Sequence, residues 1–293
     1  MQLTISNLSK TYANGVQALK DVNLTINQGM FGLLGPNGAG KSSLMRTIAS
    51  LQEADTGAIQ MGNINVLKEK DAVRRVLGYL PQEFGVYPKV SAEMMLNHIA
   101  TLKGIANAKE RQTVVELLLE KVNLTHVKSK NLGTYSGGMK QRFGIAQALI
   151  GNPQLIIVDE PTAGLDPTER NRFHNLLSEI GENTIVILST HIVEDVTNLC
   201  SDMAIINKGE VVATGNPNDL VADLNGKIWQ KTIEKSELPA YEGAFHVIAK
   251  QLKMGKTEIN VFAEHQPAEG FKMAEANLEH VYFAKIAERS MAV

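Results

Sequence analysis

Gly35-Pro36-Asn37-Gly38-Ala39-Gly40-Lys41-Ser42 places glycine, lysine and serine at the spacing that holds a polyphosphate. Glycines let the backbone close around an anion and tolerate positive φ. Successive N–H groups and the start of the following helix then point at the negative charge. In such a loop Lys41 reaches the β- and γ-phosphates and the Ser42 hydroxyl takes Mg2+. A second element, Leu155-Ile156-Ile157-Val158-Asp159-Glu160, is an apolar run delivering two carboxylates. Asp159 has the place of a Mg2+ holder. Glu160, at the end of a central strand, can orient and deprotonate a water. A third, Tyr135-Ser136-Gly137-Gly138-Met139-Lys140-Gln141-Arg142, opens an apolar helix and makes a second anion-binding helix start. One chain with two such starts suggests that the second serves a nucleotide held by another copy.

These residues need elements to carry them. Met30-Phe31-Gly32-Leu33-Leu34 reads as a buried strand before the loop, and Ser43-Leu44-Met45-Arg46 as the start of a helix after it. Leu155-Ile156-Ile157-Val158 and Thr184-Ile185-Val186-Ile187-Leu188 are short and rich in β-branched residues, as buried parallel strands are. The front of the chain alternates apolar and polar residues, with a hairpin signal at Asn14-Gly15. Residues 91–127 change to helical spacing, with Met94, Met95, His98, Ile99 and Leu102, then Val114, Val115, Leu117, Leu118, Leu119 and Val122. The expectation is an α/β core with a β-rich front and an inserted helical region. After Asn216-Pro217-Asn218-Asp219 the tail reads as a small α+β appendage. Its strands fall near residues 244–249 and 257–262, with a turn at Met254-Gly255-Lys256 and a helix near residues 277–283.

The 293 residues suffice for one nucleotide-binding domain and a modest appendage. With 29 Lys and Arg against 31 Asp and Glu, the chain lacks the basic excess of a nucleic-acid binder. One cysteine, Cys200, permits no internal disulfide and reads as a packed apolar residue. The start, Met1-Gln2-Leu3-Thr4, lacks a basic, apolar leader. No window offers the roughly 18 apolar residues of a spanning helix, so membrane work needs another chain. His98, His126 and His174 show no metal-site spacing.

With these motifs in this order, residues 1–220 resemble the ATP-binding subunit of ABC transporters. Ser136-Gly137-Gly138 with Gln141-Arg142 is similar to the family signature. Glu160-Pro161-Thr162-Ala163-Gly164-Leu165-Asp166-Pro167 is similar to its Walker B exit and D-loop. Gln82 resembles the Q-loop glutamine, His191 the switch histidine, and Tyr12 the aromatic that stacks on adenine. The resemblance implies a P-loop NTPase core of the ABC ATPase type. This core has an N-terminal antiparallel β subdomain, an inserted helical subdomain at about residues 88–150, and an α+β accessory domain at 221–293. It implies catalytic roles for Glu160, His191, Lys41 and Gln82, and Mg2+ ligation by Ser42, Gln82 and Asp159. ATP contacts would come from Tyr12, Gly35, Pro36, Asn37, Gly38, Ala39, Gly40, Lys41, Ser42 and Ser43, and from Ser136, Gly137, Gly138 and Asp166 of the signature and D-loop.

The implied partners are an integral-membrane permease and a second ATPase copy, identical or similar, with no nucleic acid. The implied place is the cytoplasmic side of the cell membrane. Tyr135 and Met139 depart from the commonest signature, which has leucine and glutamine there. The Met-Lys-Gln-Arg variant and the tail resemble exporters of the ABC-2 type. A non-transport ABC-type ATPase acting on ribosomes or nucleic acid is the alternative; such proteins usually carry two nucleotide-binding units or long coiled coils. The cargo is not legible, because this subunit touches nucleotide and permease.

Overall fold

The computed structural model describes residues 1–288 apart from 83, 163 and 254. Glu83, Ala163 and Met254, quoted in the motifs above, lie outside the described residues. The chain divides into two compact units. One comprises Met1–Asp202 with Ile206–Val211, the other Met203–Ile205 with the residues from Val212 on.

The first unit opens with β1 (Gln2–Thr11) and β2 (Gln17–Asn27), an antiparallel pair. Their alternating apolar residues, Leu3 and Ile5 against Leu24 and Ile26, are buried. The intervening turn spans residues 12–16, longer than the two-residue turn that Asn14-Gly15 favours. It is closed by the Tyr12 N–H donating to the Val16 carbonyl. Next come β3 (Gly29–Leu34), α1 (Lys41–Ile48), β4 (Thr56–Met61), β5 (Ile64–Asn65), α2 (Lys70–Val76) and β6 (Leu77–Leu80). Strands β4 and β5 complete a four-stranded sheet of order β2-β1-β4-β5.

The helical region holds α3 (Ala92–Leu102), α4 (Ala108–Lys121) and α5 (Gly137–Leu149). Ser91, Asn107 and Ser136 accept backbone N–H bonds at their N-termini, which ends each helix where the sequence offers a cap. The buried stripes are Ala92, Leu96 and Ala100 on α3, and Val115 and Leu119 on α4. Met94, Leu102 and Leu117, which belong to the apolar spacing read from the sequence, are exposed. Met94 lies about 200° around the helix from Ala92, so both cannot face one core.

Strand β7 (Leu155–Asp159), α6 (Pro167–Gly181), β8 (Ile185–Thr190) and α7 (Val193–Leu199) follow, then β9 (Asp202–Asn207) and β10 (Glu210–Gly215). Strands β3-β8-β7-β6 are four consecutive members of a six-stranded sheet that β9 and β10 complete. These four run parallel. Residues 155–159 and 185–190 are buried throughout, because both sheet faces are covered. The register sets Leu34 opposite Thr190, Asp159 opposite Ser189 and Leu80 opposite Val158. Four C-terminal strand ends therefore lie side by side, where open α/β sheets bind ligands. Cys200 ends α7, buried, and burial pushes its thiol up to about 12.

The second unit contains α8 (Pro217–Ala222), β11 (Ile228–Ile233), α9 (Leu238–Ala244), β12 (Val247–Lys253), β13 (Lys256–Phe262), β14 (Lys272–Met273) and α10 (Leu278–Glu288). Its antiparallel sheet has the order β12-β13-β11-β14. Ala244, expected in a strand, ends α9. Strand β11 gave no sequence signal beyond Ile228 and Ile233, whose buried side chains hold two separate apolar clusters. Among the described residues, no helix is long and apolar enough to cross a membrane.

Candidate active site

Apolar β3 emerges at Leu34 into the glycine-rich loop, which turns through positive φ at Gly38 and Gly40 and enters α1 at Lys41. Gly40, at the helix cap, offers no side chain to the first N–H groups of α1. Those donors remain available to an anion. The loop is buttressed by the β9–β10 turn: the Gly209 N–H donates to the Ala39 carbonyl and the Lys20 N–H to the Gly209 carbonyl, both at 2.8 Å. A cavity of about 480 Å³ opens over this loop. Pro36 to Ser43 line it, with Tyr12, Gln82 and Glu160.

Lys41 is 6% exposed. Its Nζ donates to the carbonyls of Gly35 at 2.6 Å and Pro36 at 3.2 Å, while Glu160 Oε1 stands at 3.9 Å. Burial lowers its pKa, and the Glu160 and Asp159 charges oppose that. A buried cation with no carboxylate at hydrogen-bond distance among the described residues fits a phosphate ligand. Asp159, at the end of β7, is buried, and burial raises its pKa above the ordinary value. A buried carboxylate so disfavoured as an anion suits a hard divalent cation.

Glu160 follows with φ +46, in the left-handed region that a residue with a Cβ rarely adopts. Its N–H donates to the Ser189 carbonyl of β8 at 2.9 Å. Its carboxylate is ringed by polar groups. Gln82 Nε2 donates to Oε2 at 3.0 Å, and His191 Nδ1 lies 3.1 Å from Oε1. Gln82, two residues beyond β6, spends its amide nitrogen on Glu160, which frees its carbonyl oxygen for a cation. Tyr12 bonds through its hydroxyl to Ser43 Oγ at 2.9 Å and Gln52 Oε1 at 2.8 Å, so the hairpin turn is pinned beside the start of α1.

The expected residues thus fall into two groups. Tyr12, residues 36–43, Gln82 and Glu160 share one cavity, and His191 joins them through Glu160. Gly35 and Asp159 are not in the lining themselves, but each directly precedes a lining residue, Pro36 and Glu160. Ser136, Gly137, Gly138 and Asp166 are absent from the lining and lie at the starts of other helices. Ser136 caps α5, accepting from the Met139 N–H at 3.2 Å, and Asp166 caps α6, accepting from Glu169 at 2.9 Å. Between them, Arg142 Nε lies 3.2 Å from Glu169 Oε2. Tyr135, the departure from the signature, is buried with its hydroxyl on the Val127 carbonyl.

The cavity also takes in Val16, Gln17, Ala18, Lys20 and Lys208, which no motif marked. Also unmarked was Asp195, fully buried on α7 with Thr162, Arg170, His174 and Thr190 around its carboxylate. His174, which shows no metal-site spacing, is one of its partners.

The sequence profile of the family described as ABC transporter matches residues 19–163. The linearmycin resistance ATP-binding protein LnrL of Bacillus subtilis (strain 168) is 34% identical over 286 residues, 95% of this chain and 91% of that protein. The doxorubicin resistance ATP-binding protein DrrA of Mycobacterium tuberculosis (strain CDC 1551 / Oshkosh) is 34% identical over 223 residues, 75% of this chain and 67% of that protein. A dimeric post-hydrolysis structure of the ATP-binding cassette MJ0796 with ADP and Pi superposes with a TM-score of 0.67. Its identity is 27%, and the match covers 73% of this chain and 98% of that one.

The fold and its cleft are those of a P-loop nucleotide-binding ATPase. The chain belongs to the ATP-binding proteins of ABC transporters, and it is an ATPase.

Proposed function

We propose that this chain powers export through a separate transmembrane permease, as one half of a head-to-tail pair of ATPase copies. The observation that carries the reading is the division of the expected residues. One cleft holds the phosphate loop and Glu160, while Ser136, Gly137, Gly138 and Asp166 lie outside its lining. ATP in the cleft of one copy would be covered by these residues of the other. Contact with both copies closes the pair, and hydrolysis removes that differential affinity. The resistance functions in the names of LnrL and DrrA support export. The exposed Tyr87, five residues beyond Gln82, marks the side offered to a permease helix. Residues 1–220 act as the motor, at the cytoplasmic face of the membrane, and 221–293 as an accessory domain.

In this reading Lys41 and the loop N–H groups hold the phosphates, and Tyr12 stacks on adenine. Ser42, the Gln82 carbonyl and Asp159 would hold Mg2+. That cation would supply countercharge to the phosphates during transfer. Glu160 orients the attacking water and takes its proton. Gln82 and His191 meet its two oxygens. Lys41 would set positive charge against the transferring phosphoryl group, and His191 would stabilise charge there as a hydrogen-bond donor.

The test is Glu160→Gln, which keeps shape and removes the base. It is expected to bind ATP normally, to accumulate as an ATP-bound dimer in size-exclusion chromatography, and to lose turnover by about 100-fold or more. Normal turnover would overturn the role of Glu160; a persistently monomeric ATP complex would overturn the pairing.

A further inference from the structure

Asp195 is 0% exposed, and both of its oxygens are taken. Oδ1 accepts from Arg170 Nε at 2.9 Å and Nη2 at 2.7 Å, and meets His174 Nε2 at 2.9 Å. Oδ2 accepts from Thr162 Oγ1 at 2.7 Å and Thr190 Oγ1 at 3.3 Å. Thr162 lies two residues after Glu160, and Thr190 is the last residue of β8, directly before His191. Arg170 and His174 are one turn apart on α6, whose cap is Asp166. One carboxylate therefore fastens the segment after Glu160, the strand end before His191, and the helix that follows the D-loop.

Glu160 needs such a fastening. Its φ of +46 is strained for a residue with a Cβ. A conformation of this kind persists only where the surroundings over-determine it. The Glu160 N–H bond to Ser189 fixes one side. The Thr162 bond to Asp195 fixes the chain two residues further on. Thr190 carries the same constraint toward His191, and its hydroxyl also accepts the Ile192 N–H at 2.9 Å.

We propose that Asp195 is a positioning residue for hydrolysis: it holds Glu160 and His191 in mutual register from behind the cleft, without touching nucleotide. The proposal rests on the catalytic reading of Glu160 given above. It predicts that cutting the network impairs the chemical step and spares ATP binding, because Asp195 makes none of its bonds to residues 35–42.

The experiment compares ATP affinity, KM and kcat of the full-length protein with those of Asp195→Asn, Thr162→Val, Thr190→Val and Glu160→Gln. In Asp195→Asn, kcat is expected to fall about tenfold or more, with ATP affinity within about threefold of the parent. The two threonine variants, which each delete one arm, are expected to lose about three- to tenfold in kcat alone. Adding Asp195→Asn to Glu160→Gln is expected to change the residual rate less than about twofold, since groups acting as one unit are not additive.

Unchanged kcat in both threonine variants, or equal losses of affinity and kcat, would overturn the proposal. These variants decide the matter if Asp195→Asn does not fold. Full turnover in Glu160→Gln would instead remove the reading on which the proposal rests. An inactive Glu160→Gln beside fully active network variants would sink the positioning role alone.

Discussion

Helices α1 and α5 both begin with glycine-rich sequence, yet they begin differently. At α1 the cap is Gly40, with φ +111 and no side-chain cap bond. At α5 the cap is Ser136, extended, with its hydroxyl accepting from the Met139 N–H. The first start leaves its N–H groups to a ligand and adds a buried lysine. The second satisfies one donor itself and adds no cation that the cleft can use. Each has the polarity to meet a phosphate, but only α1 sits at the converging ends of the parallel strands. On the proposed reading, the first is the primary site and the second completes the site of another copy.

The largest expected break in this contrast is Lys41→Met. Turnover should fall by about 100-fold or more, since the phosphate loses its buried countercharge. The nucleotide-free protein should melt no lower than the parent in calorimetry, because the substitution removes a desolvated cation. A clear drop in melting temperature would mean that Lys41 serves the fold.

Alanine at the two helix starts should separate binding from completion. In Gly40→Ala the new Cβ would stand 2.5 Å from the Ala18 carbonyl, at a φ hostile to side chains. Both stability, by about 1–3 kcal/mol, and ATP affinity should suffer. In Gly138→Ala the Cβ would stand 2.7 Å from Glu169 Oε2, a side-chain end held by Arg142 and Arg172. ATP affinity measured on the monomer should stay within about twofold, and turnover should drop about tenfold. Equal effects at both glycines would erase the distinction.

Ser136→Ala is a gentler probe. Loss of the cap should cost about 1 kcal/mol by thermal melting, with ATP-driven dimer formation weakened alongside.

The smallest effect concerns charge in the cleft and varies with pH. Burial raises the Asp159 pKa, so the fold favours its neutral form. That contribution is complete below the unfolded value and is lost as pH rises through the folded one. Lys41, lowered by burial, works in the opposite sense: its contribution is present at alkaline pH and lost as pH falls through its lowered pKa. Asp159→Asn should therefore melt above the parent near pH 8, with the gap closing toward pH 4. A gap that widens on acidification would contradict the raised Asp159.

Much of the phosphate side was legible in the sequence, because its function lies in a short run. Residues 35–42 need one loop between a strand and a helix, and local patterning announces both. Glu160 was legible as the end of an apolar strand. The strained φ was not, since positive φ at a glutamate has no local sequence signature. Val16, Gln17, Lys20 and Lys208 were missed because they reach the cleft from other parts of the chain. Asp195 was missed for the same reason: its partners lie 33, 25, 21 and 5 residues away. The helical region shows a different failure. Its apolar residues were counted, but which of them face inward is set by the neighbouring helix.

The sequence by itself determined the chemistry: a phosphate loop, two carboxylates at a strand end, and a second glycine-rich helix start. Each is a local pattern, readable because hydrogen bonding and burial act over a few residues. Only the tertiary structure decided which of them share a site. Parallel pairing of β3, β8, β7 and β6 brings residues 35, 191, 160 and 82 to one edge from across the chain. It leaves Ser136 and Asp166 out of that cavity, at the starts of α5 and α6, because strand register is fixed by long-range burial.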